Sequence, residues 1–175
     1  MIFLKTDDEI ELLRESNILI GQTLAELAKV IAPGVTTLQL DKLAYEFIKD
    51  HGATPGFLNY NGYPGSICTS VNEQVVHGIP SDKVVLKDGD IISVDCGVYK
   101  NGFHGDAART HLVGNVSNEA RRLVEVTEKA FWEGIKFAKK GNRVGDISSA
   151  IYEYVKKHGY TVVREFQGHG IGRQM

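Results

Sequence analysis

The chain is short of cysteine, of net charge and of long apolar runs, and each shortage excludes something. Cys68 and Cys96 are the two cysteines in 175 residues, and no CxxC pattern connects them. Two isolated thiols make no disulfide framework and suit a reducing compartment. With 20 basic residues against 22 acidic, the net charge is −2. That balance gives no reason to expect nucleic acid or a membrane as partner. No segment approaches the roughly 18 continuous apolar residues of a membrane span. The first residues, Met1 to Asp8, lack the basic-then-apolar order of a signal peptide. A cytoplasmic protein is expected. What is present is an ordinary globular mixture, 42% hydrophobic and 24% charged, which suits one domain or part of a larger one.

Thr6-Asp-Asp-Glu9 reads as a capping box that opens a helix. Ile10, Leu13, Ile20, Leu24, Leu27 and Ile31 follow at helical steps, with Asn17 filling the gap, and Pro33-Gly34 stops the run. Thr36 with Gln39 opens a second helix that closes at His51-Gly52. Residues 54–65, rich in Gly, Pro, Asn and aromatics, read as a loop. Strands are expected at 66–71, 90–95 and 103–113. Helices are expected at 118–140 and 145–157, and a further strand at 161–166. Leu43–Gly52 reads LAYEFIKDHG and Ala150–Gly159 reads AIYEYVKKHG. Five identities between them, and the pair Gly34 and Gly141, share one offset of about 107 residues, which points to an internal duplication. The second copy of the helix pair is followed by too few residues to repeat the sheet. The chain is therefore expected to be an incomplete piece of its fold.

The densest polar signal is DIISVDCGVYKNGFHGD, Asp90 to Asp106. Asn101-Gly102 is a strong type I′ hairpin signal. A two-residue turn there pairs Gly97 with Asp106 and Asp95 with Ala108. Asp95 and Asp106 then share a face as diagonal neighbours, roughly 7–8 Å apart at the backbone. Two carboxylates so placed can share a pair of metal ions. The competing reading is that one aspartate caps a turn and the other pairs with Arg109. Two further segments stand out. In Gln167-Gly-His169-Gly-Ile-Gly-Arg173 glycines leave an imidazole accessible. In VVHGIP, His77 sits at an apparent strand end. Read alone, each is more often structural than functional.

Together these segments resemble the type I methionine aminopeptidases. The resemblance is carried by NYNGYPGSICTSVNEQVVHGIP (Asn59–Pro80), DGDIISVDCGVYKNGFHGDAART (Asp88–Thr110) and EFQGHGIGRQM (Glu165–Met175). It implies an α+β fold in which duplicated helix pairs pack on a curved antiparallel sheet, the pita-bread fold, with the second repeat incomplete. It implies one catalytic domain over residues 1–175, with a first repeat at about 5–113 and a partial second at about 117–175. Asp95 would bind a first divalent metal ion, Asp106 would bridge two, and His169 would bind the second. His77 would contact substrate at the scissile bond. Tyr60, Tyr63 and Cys68, with Phe57 beside them, would line the pocket for methionine. The two ions would be Co, Mn, Fe or Zn. The partners would be the N-termini of nascent polypeptides, with ribosome association admitted, in a monomer. The family's remaining ligands, two glutamates, and a second substrate histidine have no counterpart here, so the 175 residues alone are expected to be inactive. Its preference for a small second residue implies that Met1, followed by Ile2, is retained. The same fold also admits an X-Pro-directed peptidase or a binding module without catalysis.

Overall fold

The computed structural model describes residues 3–175. They form two compact units: residues up to Val116 together with Gly170–Met175, and Ser117–His169. The first unit holds helices α1 (Asp7–Ala28) and α2 (Thr37–Asp50) and strands β1 (Thr54–Pro55), β2 (Ile67–Val71), β3 (Ile91–Lys100) and β4 (Phe103–Leu112). The second holds α3 (Asn118–Ile135) and α4 (Val144–Lys157). The expected α+β architecture, a helix pair on an antiparallel sheet with the helix pair duplicated, is the one observed.

Both expected capping boxes form. The Thr6 hydroxyl accepts from the Glu9 amide while the Glu9 carboxylate accepts from the Thr6 amide, and Thr36 and Gln39 exchange the same pair of bonds. Each box satisfies two amides that a helix start otherwise leaves bare. α1 buries Ser16, Leu19, Ile20, Thr23, Leu24 and Leu27. Its core face thus begins a turn later than the apolar row suggested, and Ile10 is 42% exposed. Ser16 and Thr23 go inside because their hydroxyls are satisfied: Ser16 donates to the Phe103 carbonyl at 3.1 Å and Thr23 to that of Leu19 at 2.8 Å.

β3 is the spine of the sheet. β4 pairs with it over its whole length, from Ile91 opposite Leu112 to Lys100 opposite Phe103. β2 pairs with residues 92–96 and β1 with Val98 and Tyr99, so β1 and β2 share the other edge. Asn101 and Gly102 both have positive φ, 52° and 84°, the conformation of a type I′ turn. Alternation then sends Ile92, Val94, Cys96 and Val98 into the core with Ile67. Leu19, Ile20, Leu24 and Leu27 of α1 and Leu40, Ala44 and Ile48 of α2 close that core. Each fully buried aliphatic side chain contributes about 1.5–3 kcal/mol. Gly105 lets α1 come close: a Cβ there would lie 2.7 Å from Ile20 Cδ1 and 3.0 Å from the Ser16 carbonyl carbon.

In the second unit Val126 and Ala130 of α3 pack with Val155, Ile151 and Tyr154 of α4. Gly134 allows the approach, since a Cβ would meet Ile151 Cγ1 at 2.7 Å. The duplication extends to bond geometry. His51 and His158 each follow the last helical residue, and each Nδ1 bonds the carbonyl four residues back, Phe47 at 2.7 Å and Tyr154 at 2.8 Å. Each imidazole lies on the ring of that same residue, at 4.3 and 4.4 Å. Gly34 and Gly141 between the paired helices have φ of 93° and 96°.

Three expectations about elements are corrected. Residues 161–166 form no strand: no described segment pairs with them, and a strand's ladder of backbone bonds needs a second strand. α3 ends at Ile135 rather than near residue 140, where Phe137 and Ala138 turn back to bond Gly134 and Ile135. β3 continues past Asp95 to Lys100.

Two glycine substitutions separate packing from propensity. Gly105→Ala forces α1 off the sheet and is expected to lower stability by about 1–3 kcal/mol. Gly21→Ala, at an exposed helix position with nothing within 4 Å of the new methyl, is expected to raise it by about 0.5–1 kcal/mol. Urea unfolding followed by circular dichroism reads both; equal effects would mean that the α1–β4 contact is not tight.

Candidate active site

The face of the sheet turned away from α1 and α2 carries the polar side chains. Asp95 stands opposite Ala108 and Gly97 opposite Asp106, the register expected from the turn. On the other side of Asp95 stands Cys68 of β2. Cys68, Asp95, Gly97, Asp106 and Ala108 therefore form one floor across three strands. Gly97 leaves a gap in that floor, and the Phe57 ring fills it: a Cβ on Gly97 would lie 2.5 Å from Phe57 Cε1. Further along the floor, Ser93 and Thr110 hydroxyls meet at 2.8 Å. Arg109 faces the opposite way, with its backbone opposite the buried Val94. The alternative in which it pairs with an aspartate of the floor thus fails on parity.

Around the floor the loop of residues 56–66 is folded by asparagines in left-handed backbone, Asn59 at φ 65° and Asn61 at φ 48°. Tyr63 comes out of it half-buried. Its hydroxyl lies 3.1 Å from the Ile67 carbonyl and 3.0 Å from that of Gly78. Tyr60 is 46% exposed, its hydroxyl 3.4 Å from the Met175 carbonyl. His77 is exposed, with φ 60°, directly before Gly78. His169 is exposed in the second unit, outside any helix or strand. Asp95 and Asp106 thus share the floor with Cys68, and Tyr63 and Phe57 stand against it. Among the described residues no group of three or more His, Cys, Asp or Glu side chains is close enough to hold a metal ion.

The electrostatics of the floor follow from burial and charge. Burial, and then the carboxylates of Asp95 and Asp106, push the Cys68 thiol up to about 11. Cys96, on the core side, is pushed up mainly by burial. Burial also raises the Tyr63 phenol, so it stays a donor. Asp41 was not singled out from the sequence. Its carboxylate, from α2, accepts the Ser66 amide at 2.6 Å and the Ile67 amide at 3.1 Å, fixing where β2 begins. Burial holds its acidity below that of an ordinary aspartate in spite of those bonds. The available signal was a carboxylate directly after Leu40, on the edge of a core-facing helix stripe.

The profile of metallopeptidase family M24 matches residues 11–175. The chain belongs to this family. Methionine aminopeptidase from Clostridium acetobutylicum is 54% identical over all 175 residues, which span 70% of that protein. The crystal structure of methionine aminopeptidase from Rickettsia prowazekii superposes with a TM-score of 0.96 at 44% identity, over 99% of this chain and 69% of that one. Xaa-Pro dipeptidase from Bacillus anthracis shares the fold at lower identity, with a TM-score of 0.83 at 26%, over 98% of this chain and 47% of that one. No helix of the described residues is long and apolar enough to cross a membrane.

The raised thiols give a direct check. Nucleophilic attack needs the thiolate. At pH 8 iodoacetamide is expected to modify Cys68 and Cys96 in the folded chain at least tenfold more slowly than in urea. Equal rates by mass spectrometry would mean that the floor is open and loosely packed.

Proposed function

We propose that the protein is a dinuclear-metal aminopeptidase that hydrolyses the peptide bond after an N-terminal methionine. The observation that carries the reading is the register of β3: it sets Asp95 and Asp106 on one face, beside a wall made of Cys68, Tyr63 and Phe57. The donor chemistry fits divalent cations. Two carboxylates on adjacent strands are hard oxygen donors of the kind divalent cations take. Asp95 and Asp106 would hold the ions, with His169 as the imidazole ligand of the second. Bound there, divalent ions supply Lewis acidity and lower the pKa of water. Oxygen and imidazole donors accommodate Mn, Fe, Co or Zn.

The rest of the reaction falls to the chain's own residues. Phe57, Tyr63 and Cys68, with Tyr60 at the rim, offer a soft apolar wall to a flexible thioether side chain. His77, exposed on a rigid arm, donates a hydrogen bond to the scissile carbonyl oxygen and steadies the charge that develops on it. Water adds its oxygen to that carbonyl carbon, its proton passes to the amide nitrogen, the C–N bond breaks, and free methionine and the shortened peptide with its new amino terminus leave. The substrates would be new polypeptides in the cytoplasm, at or near the ribosome, handled by a monomer. The 54% identity to a methionine aminopeptidase against 26% to an Xaa-Pro dipeptidase favours methionine over proline-directed cleavage.

The test is methionine release. The protein as its own cells make it, supplied with Mn or Co, is expected to free methionine from a Met-Gly peptide and to leave an X-Pro peptide intact. Asp95→Asn and Asp106→Asn should each lower kcat/KM by at least a hundredfold and weaken metal binding in calorimetry. Tight metal binding and full activity in both variants would sink the assignment of the floor.

A further inference from the structure

Five non-glycine residues among those described have positive φ. Four are asparagines, which adopt that conformation readily. The fifth is His77, at 60°. Such a backbone persists only where its surroundings over-determine it, and here they do so at the next residue. The Gly78 carbonyl accepts from the Thr69 amide at 2.8 Å and from the Tyr63 hydroxyl at 3.0 Å. The Gly78 amide donates to Ser70 Oγ at 3.0 Å. A Cβ on Gly78 would lie 2.2 Å from the Thr69 carbonyl oxygen, so the arm lies flat on β2. Thr69 and Ser70 are part of β2 itself. Tyr63 is the side chain that arrives from elsewhere, from the loop that forms the pocket wall. Its hydroxyl lies within hydrogen-bond distance of the Ile67 and Gly78 carbonyls, and Cys68, the residue after Ile67, stands opposite Asp95.

We infer that the Tyr63 hydroxyl is a positioning group for His77: it pins the His77–Gly78 arm to the strand that faces Asp95, and so sets the height of the imidazole above the carboxylate floor. The ring of Tyr63 belongs to the pocket and its hydroxyl to the arm, so one residue couples recognition of the first side chain to placement of the histidine. The inference rests on the proposed role of His77 at the scissile bond.

Tyr63→Phe separates the two parts, because it keeps the ring and removes the hydroxyl, and the Gly78 carbonyl still has the Thr69 amide. In the whole protein as its cells make it, with Mn supplied, kcat for a Met-Gly peptide is expected to fall at least tenfold while KM stays within twofold. His77→Asn, which tolerates the left-handed backbone, should lower kcat on its own, and adding Tyr63→Phe should then cost nothing more. A raised KM with kcat kept would make Tyr63 a pocket wall only, and an equal further loss in the His77→Asn background would show that it does not act through His77. Either result overturns the inference. If the wild-type protein releases no methionine with any divalent ion, the functional reading fails by itself. The pinning is then judged by hydrogen exchange: the Gly78 amide should exchange at least tenfold faster in Tyr63→Phe, and unchanged exchange would overturn it.

Discussion

The registration of β3 against its neighbours is the constraint on which everything else hangs. Side chains on a strand alternate, so one face of β3 must be apolar and the other is free to be polar. Val94 and Cys96 are fully buried while Asp95 between them is half-exposed. A slip of one residue would exchange the two sets. It would place Asp95 against the helices and lose the burial of several aliphatic side chains, each worth about 1.5–3 kcal/mol. The register of the carboxylate floor is therefore set by the hydrophobic core beneath it. The Asn101–Gly102 turn selects the same register from the other end, because its two positive φ values match a two-residue hairpin.

Three glycines turn this register into a shaped site. Gly105 lets α1 lie directly on β4, the strand carrying Asp106. Gly97, opposite Asp106 and two residues along from Asp95, admits the Phe57 ring, so the floor has an apolar patch where a side chain would otherwise stand. Gly78 lets the His77 arm cross β2 at contact distance. In each case the missing Cβ is what permits the approach, and at Gly105 and Gly97 the approaching group comes from a segment distant in sequence. Asp41 does related work by a polar route: its two bonds to the Ser66 and Ile67 amides tie the start of β2 to α2, and β2 carries Cys68.

What was legible in the sequence had a local cause. Both capping boxes, the tight turn and the pairing of Asp95 with Ala108 follow from residues within a few positions of one another. The first-helix row failed at Ile10 because periodicity states which residues share a stripe, not how far the sheet extends beneath it. Asp41, and the bonds of Tyr63 and Ser70 to Gly78, were not legible. Each joins residues between 8 and 26 positions apart, and no pattern within either segment announces the other. The family resemblance supplied a role for Tyr63 alone among them, and the hydrogen bonds that set their positions came only with the fold.

The duplicated helix ends show the same division from a different side. Phe47 and His51 in one unit, and Tyr154 and His158 in the other, make the same ring contact and the same imidazole-to-carbonyl bond within 0.1 Å of each other. A histidine four residues after an aromatic, with glycine following, satisfies one of the carbonyls that a helix C-terminus leaves bare. Nothing outside the helix is needed, so the feature reproduces wherever the residues recur. A strand has no such autonomy, since its ladder of backbone bonds needs a second strand. Residues 161–166 carry two valines and a phenylalanine, yet among the described residues they pair with nothing and remain irregular. The helix pair is thus a local code that the chain repeats, whereas the sheet beneath it is a collective one. The site belongs to the collective part, because both of its aspartates owe their position to pairing.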